Sequence, residues 1–267
     1  MVATDLDGTL LRRHGSLSPR TVAAVRAAAA AGIVVVLVTA RPPRWVDDIV
    51  ASLGCHPVAV CSNGALVYDA AARELIAQYP IEPQVAAEVV RRLSSELDGV
   101  VLAVEAGMRY GQEPGYPAQW PIPADALLAE AERLIAEPVA KLIVRHAEVG
   151  DHWELIERAR RVVGDLVEVT SSATGGPIEL AAPGVSKAFA LEFLADRFGI
   201  GRQLVLAVGD MPNDLPMLGW AGRSVAPANA HPDVLAMVDQ VTQDCDADGV
   251  ATVIEDLIGQ EPESRAG

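Results

Sequence analysis

The chain of 267 residues carries 36 acidic against 21 basic side chains, a net charge of −15, and 51% of it is apolar with a mean hydropathy of +0.25. That balance excludes a disordered chain, and the lack of a basic patch with interleaved aromatics argues against a nucleic-acid partner. An anionic small molecule would have to be held by local charges or a metal, because the global field repels it.

Three cysteines, Cys55, Cys61 and Cys245, show no CxxC spacing. An odd number without a framework fits a reducing compartment. No pair of histidines has HExxH spacing, and histidines and cysteines alike read as ordinary core or surface residues. Asp5 and Asp7 interrupt any N-terminal apolar run, and residues 33–38 are far too few to cross a bilayer. The expectation is a soluble cytoplasmic protein with no membrane partner.

In chain order, residues 1–4 form a short apolar strand. Ser18 and Pro19 open a helix, with a side-chain cap followed by proline in the first turn, and Gly32 ends it. Residues 33–38 are a β-branched run that suits a strand buried on both faces. A second helix is predicted over 42–53, a third strand over 57–61, and a hairpin over 66–68 and 74–79. Pro80 and Pro83 then mark a boundary. The middle reads as α+β: helices over 84–97, 125–135 and 152–163, strands over 100–104, 108–112, 140–145, 166–170 and 177–181, and a Pro/Gly-rich loop over 113–123. The last third returns to βα alternation, with a helix over 186–197, a strand over 203–208, a short helix over 211–218, strands around Val225 and Val241, a closing helix over 249–258 and a polar tail expected to be disordered. The architecture expected is α/β, a mostly parallel sheet between helices, with residues 1–81 and 183–267 forming a core and 82–182 an inserted module.

Right-handed βαβ crossovers place the C-terminal ends of parallel strands on one sheet edge, where ligands bind. Asp5-Leu6-Asp7-Gly8-Thr9, Thr39-Ala40-Arg41, Ser62-Asn63-Gly64 and Gly209-Asp210-Met211-Pro212-Asn213-Asp214 all follow predicted strands. Each has an ordinary reading as a cap or turn, but their convergence on one edge is poorly explained by packing. Two carboxylates ~4 Å apart repel by roughly 4 kcal/mol at an effective dielectric near 20. A cluster of Asp5, Asp7, Asp210 and Asp214 therefore calls for a cation or shared protons. All-oxygen donors favour a hard ion, with Mg2+ the usual one beside phosphate.

Other ligand loops fail. An EF-hand from Asp5 would need glycine and glutamate where Leu10 and Ser16 stand, no lysine precedes Ser or Thr as in a P-loop, and Leu204 replaces the third glycine of a dinucleotide fingerprint. The chain has two lysines, Lys141 and Lys187, among arginines. A lysine in such a background suits a compact point charge, and Lys187 follows the insert within reach of the carboxylates; composition alone equally allows a solvated surface residue. Lys141, in a strand of the insert, reads as an ordinary solvated lysine.

With Gly184-Val185-Ser186-Lys187 and Asn229-Ala230-His231-Pro232 added to the motifs above, the chain resembles the haloacid dehalogenase superfamily, in its Cof-type subfamily IIB. The resemblance covers nearly the whole chain and implies a Rossmann-like three-layer core with an α+β cap of the C2B type. It implies a phosphoric monoester hydrolase acting on small phosphorylated metabolites, sugar phosphates by analogy. Asp5 is then the nucleophile and Asp7 the general acid/base; Leu6, Thr39, Ala40, Lys187 and Asn213 bind phosphate; Asp5, Asp7 through its main-chain carbonyl, and Asp210 hold Mg2+; Asp214, Arg41 and Asn63 are supporting. The chain departs from the family pattern at Ala40 and Ala188, where glycine is usual, and at Pro227-Ala228, where Met-Gly is usual. The first strand is short for the family, which points to a translation start upstream of Met1. A phosphotransferase or mutase would use the same groups, and a non-catalytic binding protein is the reading from another class. Specificity is expected near residues 108–123. No pattern speaks to the oligomeric state.

Overall fold

The computed structural model describes residues 1–97, 99–117, 121–146 and 152–259. Two β-sheets organise them. The first has eight strands in the order β14-β13-β12-β1-β2-β3-β4-β5. They are β1 (Val2–Thr4), β2 (Val35–Val38), β3 (Val58–Cys61), β4 (Leu66–Asp69), β5 (Glu74–Gln78), β12 (Leu206–Val208), β13 (Arg223–Pro227) and β14 (Gln240–Thr242). The strands from β14 to β3 are parallel, and β4 and β5 continue the sheet as an antiparallel hairpin.

Alternation along these strands divides the core into two halves. Val2, Leu37 and Ala59 pack on one face with Val25 and Ala28 of α1 (Pro19–Ala30) and Val250 and Ile254 of α9 (Gly249–Gly259). Ala3, Val36, Val38 and Val60 pack on the other with Leu191 and Leu194 of α6 (Lys187–Arg197) and Met217 and Leu218 of α7 (Leu215–Trp220). The period of two thus produces a helix–sheet–helix sandwich, the three-layer arrangement expected. Ser18 caps α1 by accepting from the Thr21 amide, and Ser186 caps α6 by accepting from the Phe189 amide.

The second sheet has six strands in the order β10-β11-β9-β6-β7-β8. They are β6 (Val100–Ala106), β7 (Arg109–Gln112), β8 (Leu127–Leu128), β9 (Lys141–His146), β10 (Glu168–Thr170) and β11 (Ile178–Ala181), all between β5 and β12 in sequence. Its outer face buries Leu102, Val104, Leu142, Val144 and Leu180 against Val89 and Leu93 of α3 (Pro83–Glu96) and Ile156 and Val163 of α5 (His152–Val163). The alternate residues Glu105, Lys141, Ile143, Arg145 and Glu179 line a cavity on the opposite face.

Several elements differ from expectation. Only α4 (Ala131–Leu134) is helical within 125–135, because Leu127 and Leu128 pair in parallel with Gly111 and Gln112 of β7, and edge pairing overrides the helix preference of an Ala/Leu/Glu run. Helix α2 (Asp47–Leu53) starts later than predicted, since Pro43–Trp45 wind as a separate 3-10 turn after Pro42. A four-residue helix, α8 (Pro232–Leu235), lies where no element was expected. The tail was expected over 259–267; Gly259 instead ends α9, and 260–267 lie outside the described residues.

Candidate active site

The four central parallel strands, β12, β1, β2 and β3, end on one edge. Each is followed at once by one of the motifs: Asp5 after β1, Thr39 after β2, Ser62 after β3, Gly209 and Asp210 after β12. Main-chain bonds lock the loops together, from the Asp5 amide to the Val208 carbonyl at 2.9 Å and from the Asn63 amide to the Thr39 carbonyl at 3.1 Å.

At the centre stands Lys187. Its Nζ donates to Asp5 Oδ1 and Asp214 Oδ1, both at 2.6 Å, and all three side chains are buried. Burial alone would lower its pKa, but Asp214 and Asp5 outweigh that and raise it, so the ammonium stays charged. The surface reading of Lys187 is excluded. The other oxygen of Asp214 accepts the amides of Asp210 and Met211, both at 3.0 Å, so Asp214 ties the lysine to the turn that carries Asp210.

Asp210 accepts the Thr9 hydroxyl at 2.8 Å. Burial, reinforced by Asp214, pushes its pKa up to about 7. Burial likewise pushes Asp5 up, opposed by Lys187 and aided by Asp214 and Asp210. One carboxylate oxygen from each of Asp5, Asp210 and Asp214 falls within 4.8 Å of the others. A buried all-oxygen cluster that is short of positive charge suits a hard divalent cation. Gly8, at φ +80°, is required for this approach: a Cβ there would sit 2.5 Å from Asp210 Oδ2.

Asp7 is more exposed and meets Arg41 in a two-point ion pair, with Nε to Oδ2 at 2.7 Å and Nη2 to Oδ1 at 2.5 Å. Thr39 is buried and its hydroxyl accepts the Arg41 amide at 3.1 Å. Leu6 buries its side chain wholly in the core, so it offers the site only main chain. Asn213 donates to Asn63 Oδ1 at 3.0 Å. Ser62 and Asn63 adopt φ of 50° and 56°, a left-handed pair of the kind that concentrates at functional loops.

A cavity of about 1160 Å³ opens between the two sheets and is lined by Asp5, Asp7, Thr39, Ala40, Arg41 and Asn213 from the first. The second sheet closes it with charged residues that the sequence reading missed. Lys141, expected in solvent, is buried: its Nζ donates to Glu179 Oε1 and to the Ala40 carbonyl, both at 2.7 Å. Its position in an alternating strand was legible, but its partner Glu179 lies 38 residues away and carries no local signal. Glu179 also accepts from Asn63 at 3.0 Å, and Arg44 pairs with the buried Glu105 across the gap. Of the expected specificity region, Tyr110, Tyr116, Pro121 and Pro123 line the cavity; 118–120 lie outside the described residues.

Comparison with known proteins agrees with this geometry. The haloacid dehalogenase-like hydrolase family matches residues 2–254. The chain is 29% identical to a phosphoglycolate phosphatase of Methanoculleus marisnigri, over 95% of this chain and 94% of that one. It is 27% identical to the pyridoxal phosphate phosphatase YbhA of Escherichia coli, over 95% and 97%. The subclass IIB sugar phosphatase BT4131 shares its fold, with a TM-score of 0.79 at 20% identity over 96% of this chain and 98% of that one. The chain belongs to the haloacid dehalogenase-like hydrolases, and the expected phosphoric monoester hydrolase class stands. Among the described residues no helix is long and apolar enough to cross a membrane.

Proposed function

We propose that this chain is an Mg2+-dependent phosphatase of small phosphorylated metabolites, sugar phosphates among them, that works through a phosphoaspartate on Asp5. The observation that carries the reading is the buried Lys187 ammonium shared by Asp5 and Asp214 at 2.6 Å each. It fixes one oxygen of Asp5 and supplies a positive charge where a phosphoryl group would add negative charge.

An Asp5 oxygen attacks phosphorus, the bond to the leaving oxygen breaks, and Asp7 delivers the proton that this oxygen needs. Asp7 then takes a proton from water, which attacks the phosphoaspartate, releases inorganic phosphate and restores Asp5. Thr39, Asn213 and the main chain of Leu6 and Ala40 bind the phosphoryl oxygens. Arg41 orients Asp7, Asn63 orients Asn213, and Asp214 orients Lys187 and the turn at Asp210. Asp5, Asp210 and the Asp7 carbonyl would hold Mg2+, which when bound neutralises charge on the transferring group. Residues 82–182 act as a cap that excludes water and meets the leaving group.

The test is release of inorganic phosphate from p-nitrophenyl phosphate without any added acceptor, which also separates hydrolysis from transfer to a second alcohol. Activity is expected to vanish with excess chelator and return with Mg2+, and to be absent in Asp5→Asn. Full activity in chelator overturns the metal role; near-normal turnover by a folded Asp5→Asn overturns the nucleophile.

A further inference from the structure

Of the five cations that line the cavity, three are paired with carboxylates. Arg41 pairs with Asp7, Arg44 with Glu105, and Lys141 with Glu179. Arg26, on the side of the first sheet, donates Nε to the Leu53 carbonyl at 2.5 Å. Arg145 is different. It lines the cavity from β9, has no carboxylate partner among the described residues, and its buried Nε has no hydrogen-bond partner. It contacts the Tyr116 hydroxyl, whose pKa is raised to about 12, chiefly by burial, so that neighbour stays neutral and offers the guanidinium no counter-charge.

A guanidinium taken partly out of water without an anion is costly, and its planar fork matches a carboxylate or phosphate in two-point contact. Its place in the strand says where that anion would sit. Lys141, Ile143 and Arg145 share one face of β9, and Lys141 touches the Ala40 carbonyl beside Thr39. At about 3.3 Å per residue, the Cα atoms of Lys141 and Arg145 are roughly 13 Å apart. One end of the cavity therefore presents the proposed phosphate loop and the other a cation with no carboxylate partner among the described residues, with a small metabolite's length between them.

We propose that Arg145 is a specificity residue that binds a second anionic group, a carboxylate or a further phosphate, on the leaving portion of the substrate. Preferred substrates are then phosphomonoesters with a second negative charge, such as phosphorylated hydroxy acids or bisphosphorylated sugars. This rests on the phosphatase reading and narrows it.

The experiment compares kcat/KM for ω-carboxyalkyl phosphates of increasing chain length with their methyl esters, and for alkanediol bisphosphates with the monophosphates, in the wild type, Arg145→Gln and Arg145→Lys. The wild type is expected to favour the doubly charged member by roughly 10- to 100-fold at its best chain length, the range for a hydrogen-bonded charge. Arg145→Gln loses that preference through KM while still hydrolysing p-nitrophenyl phosphate normally, and Arg145→Lys keeps part of it. The arm with the larger Arg145-dependent gain identifies the anion. Equal rates for the matched pairs, or an equal loss on both members in Arg145→Gln, overturns the proposal. Calorimetric binding of carboxyalkyl phosphonates against alkyl phosphonates separates the two readings. An Arg145-dependent carboxylate preference without any turnover sinks only the phosphatase reading, whereas turnover indifferent to the second charge sinks only this one.

Discussion

The two sheets put charge into the same cavity by opposite means. On the first, the charged residues stand in loops just past the ends of parallel strands, and main-chain amides and Lys187 hold them. On the second, they stand within strands, on the face left over when the other face buries Leu102, Leu142 and Leu180. Strand-end loops can aim several groups at one point, which a reacting atom needs. A strand face spaces its groups at fixed intervals, which suits measuring the length and charge of a ligand. Under the proposed function, chemistry belongs to the first region and selection to the second.

The strongest way to break that assignment is Asp5→Asn, where turnover is expected to fall by at least about 10⁴-fold while the circular dichroism spectrum is retained. Next is Asp7→Asn, expected to slow turnover by about 10²–10⁴-fold, with phosphoaspartate accumulating in acid-quenched samples because its hydrolysis also needs the base. Comparable rates in these variants and wild type would remove the chemistry from the first region.

The second region is probed by stability. Lys141→Met leaves Glu179 buried without its ion-pair partner, and the side chains concerned are 4% and 6% exposed. The expected cost is about 3–5 kcal/mol in urea unfolding. Adding Glu179→Gln should recover part of it, since the surviving group is then neutral. A cost near zero would mean that the pair is solvated after all.

The smallest effect concerns protons. Asp210 is pushed up to about 7 in the folded chain, against about 3.8 for an unperturbed aspartate. The folded state then binds more protons than the unfolded one between those values, so the metal-free protein loses stability as pH rises from about 4 to about 7. Mg2+ should restore it, and the rise in Tm on adding Mg2+ should be larger at pH 8 than at pH 5.5. An equal rise at both would show that no proton competes with the ion.

Much of the first region was legible because its signals are local. Asp5 and Asp7 are two residues apart after an apolar run, and each further motif follows its own strand within a residue or two. Lys187 stood out in an arginine-biased chain, but composition equally allowed a surface residue, and only the family resemblance put it in the site. The second region was not legible, because the surroundings of Lys141 and Arg145 are made by residues far away in sequence. Lys141 stands opposite Glu105 in register, yet pairs with Glu179 on the other neighbour, β11, while Glu105 reaches across to Arg44. No spacing in one segment encodes that choice. The misread helix over 125–135 has the same origin, a local preference overruled by β7.

Gly64 carries a consequence for sequence variation. Its φ is +106°, and a Cβ there would lie 2.1 Å from the Ser186 carbonyl oxygen, one residue before Lys187. Any side chain at 64 must push the start of α6 away, and with it the ammonium that Asp5 and Asp214 share. In a library randomised at that codon and selected for turnover, glycine should be recovered almost alone, although the residue touches no substrate. The mutational tolerance of this site is therefore set partly by positions that contribute no functional group, whose role is to leave room for a neighbouring backbone.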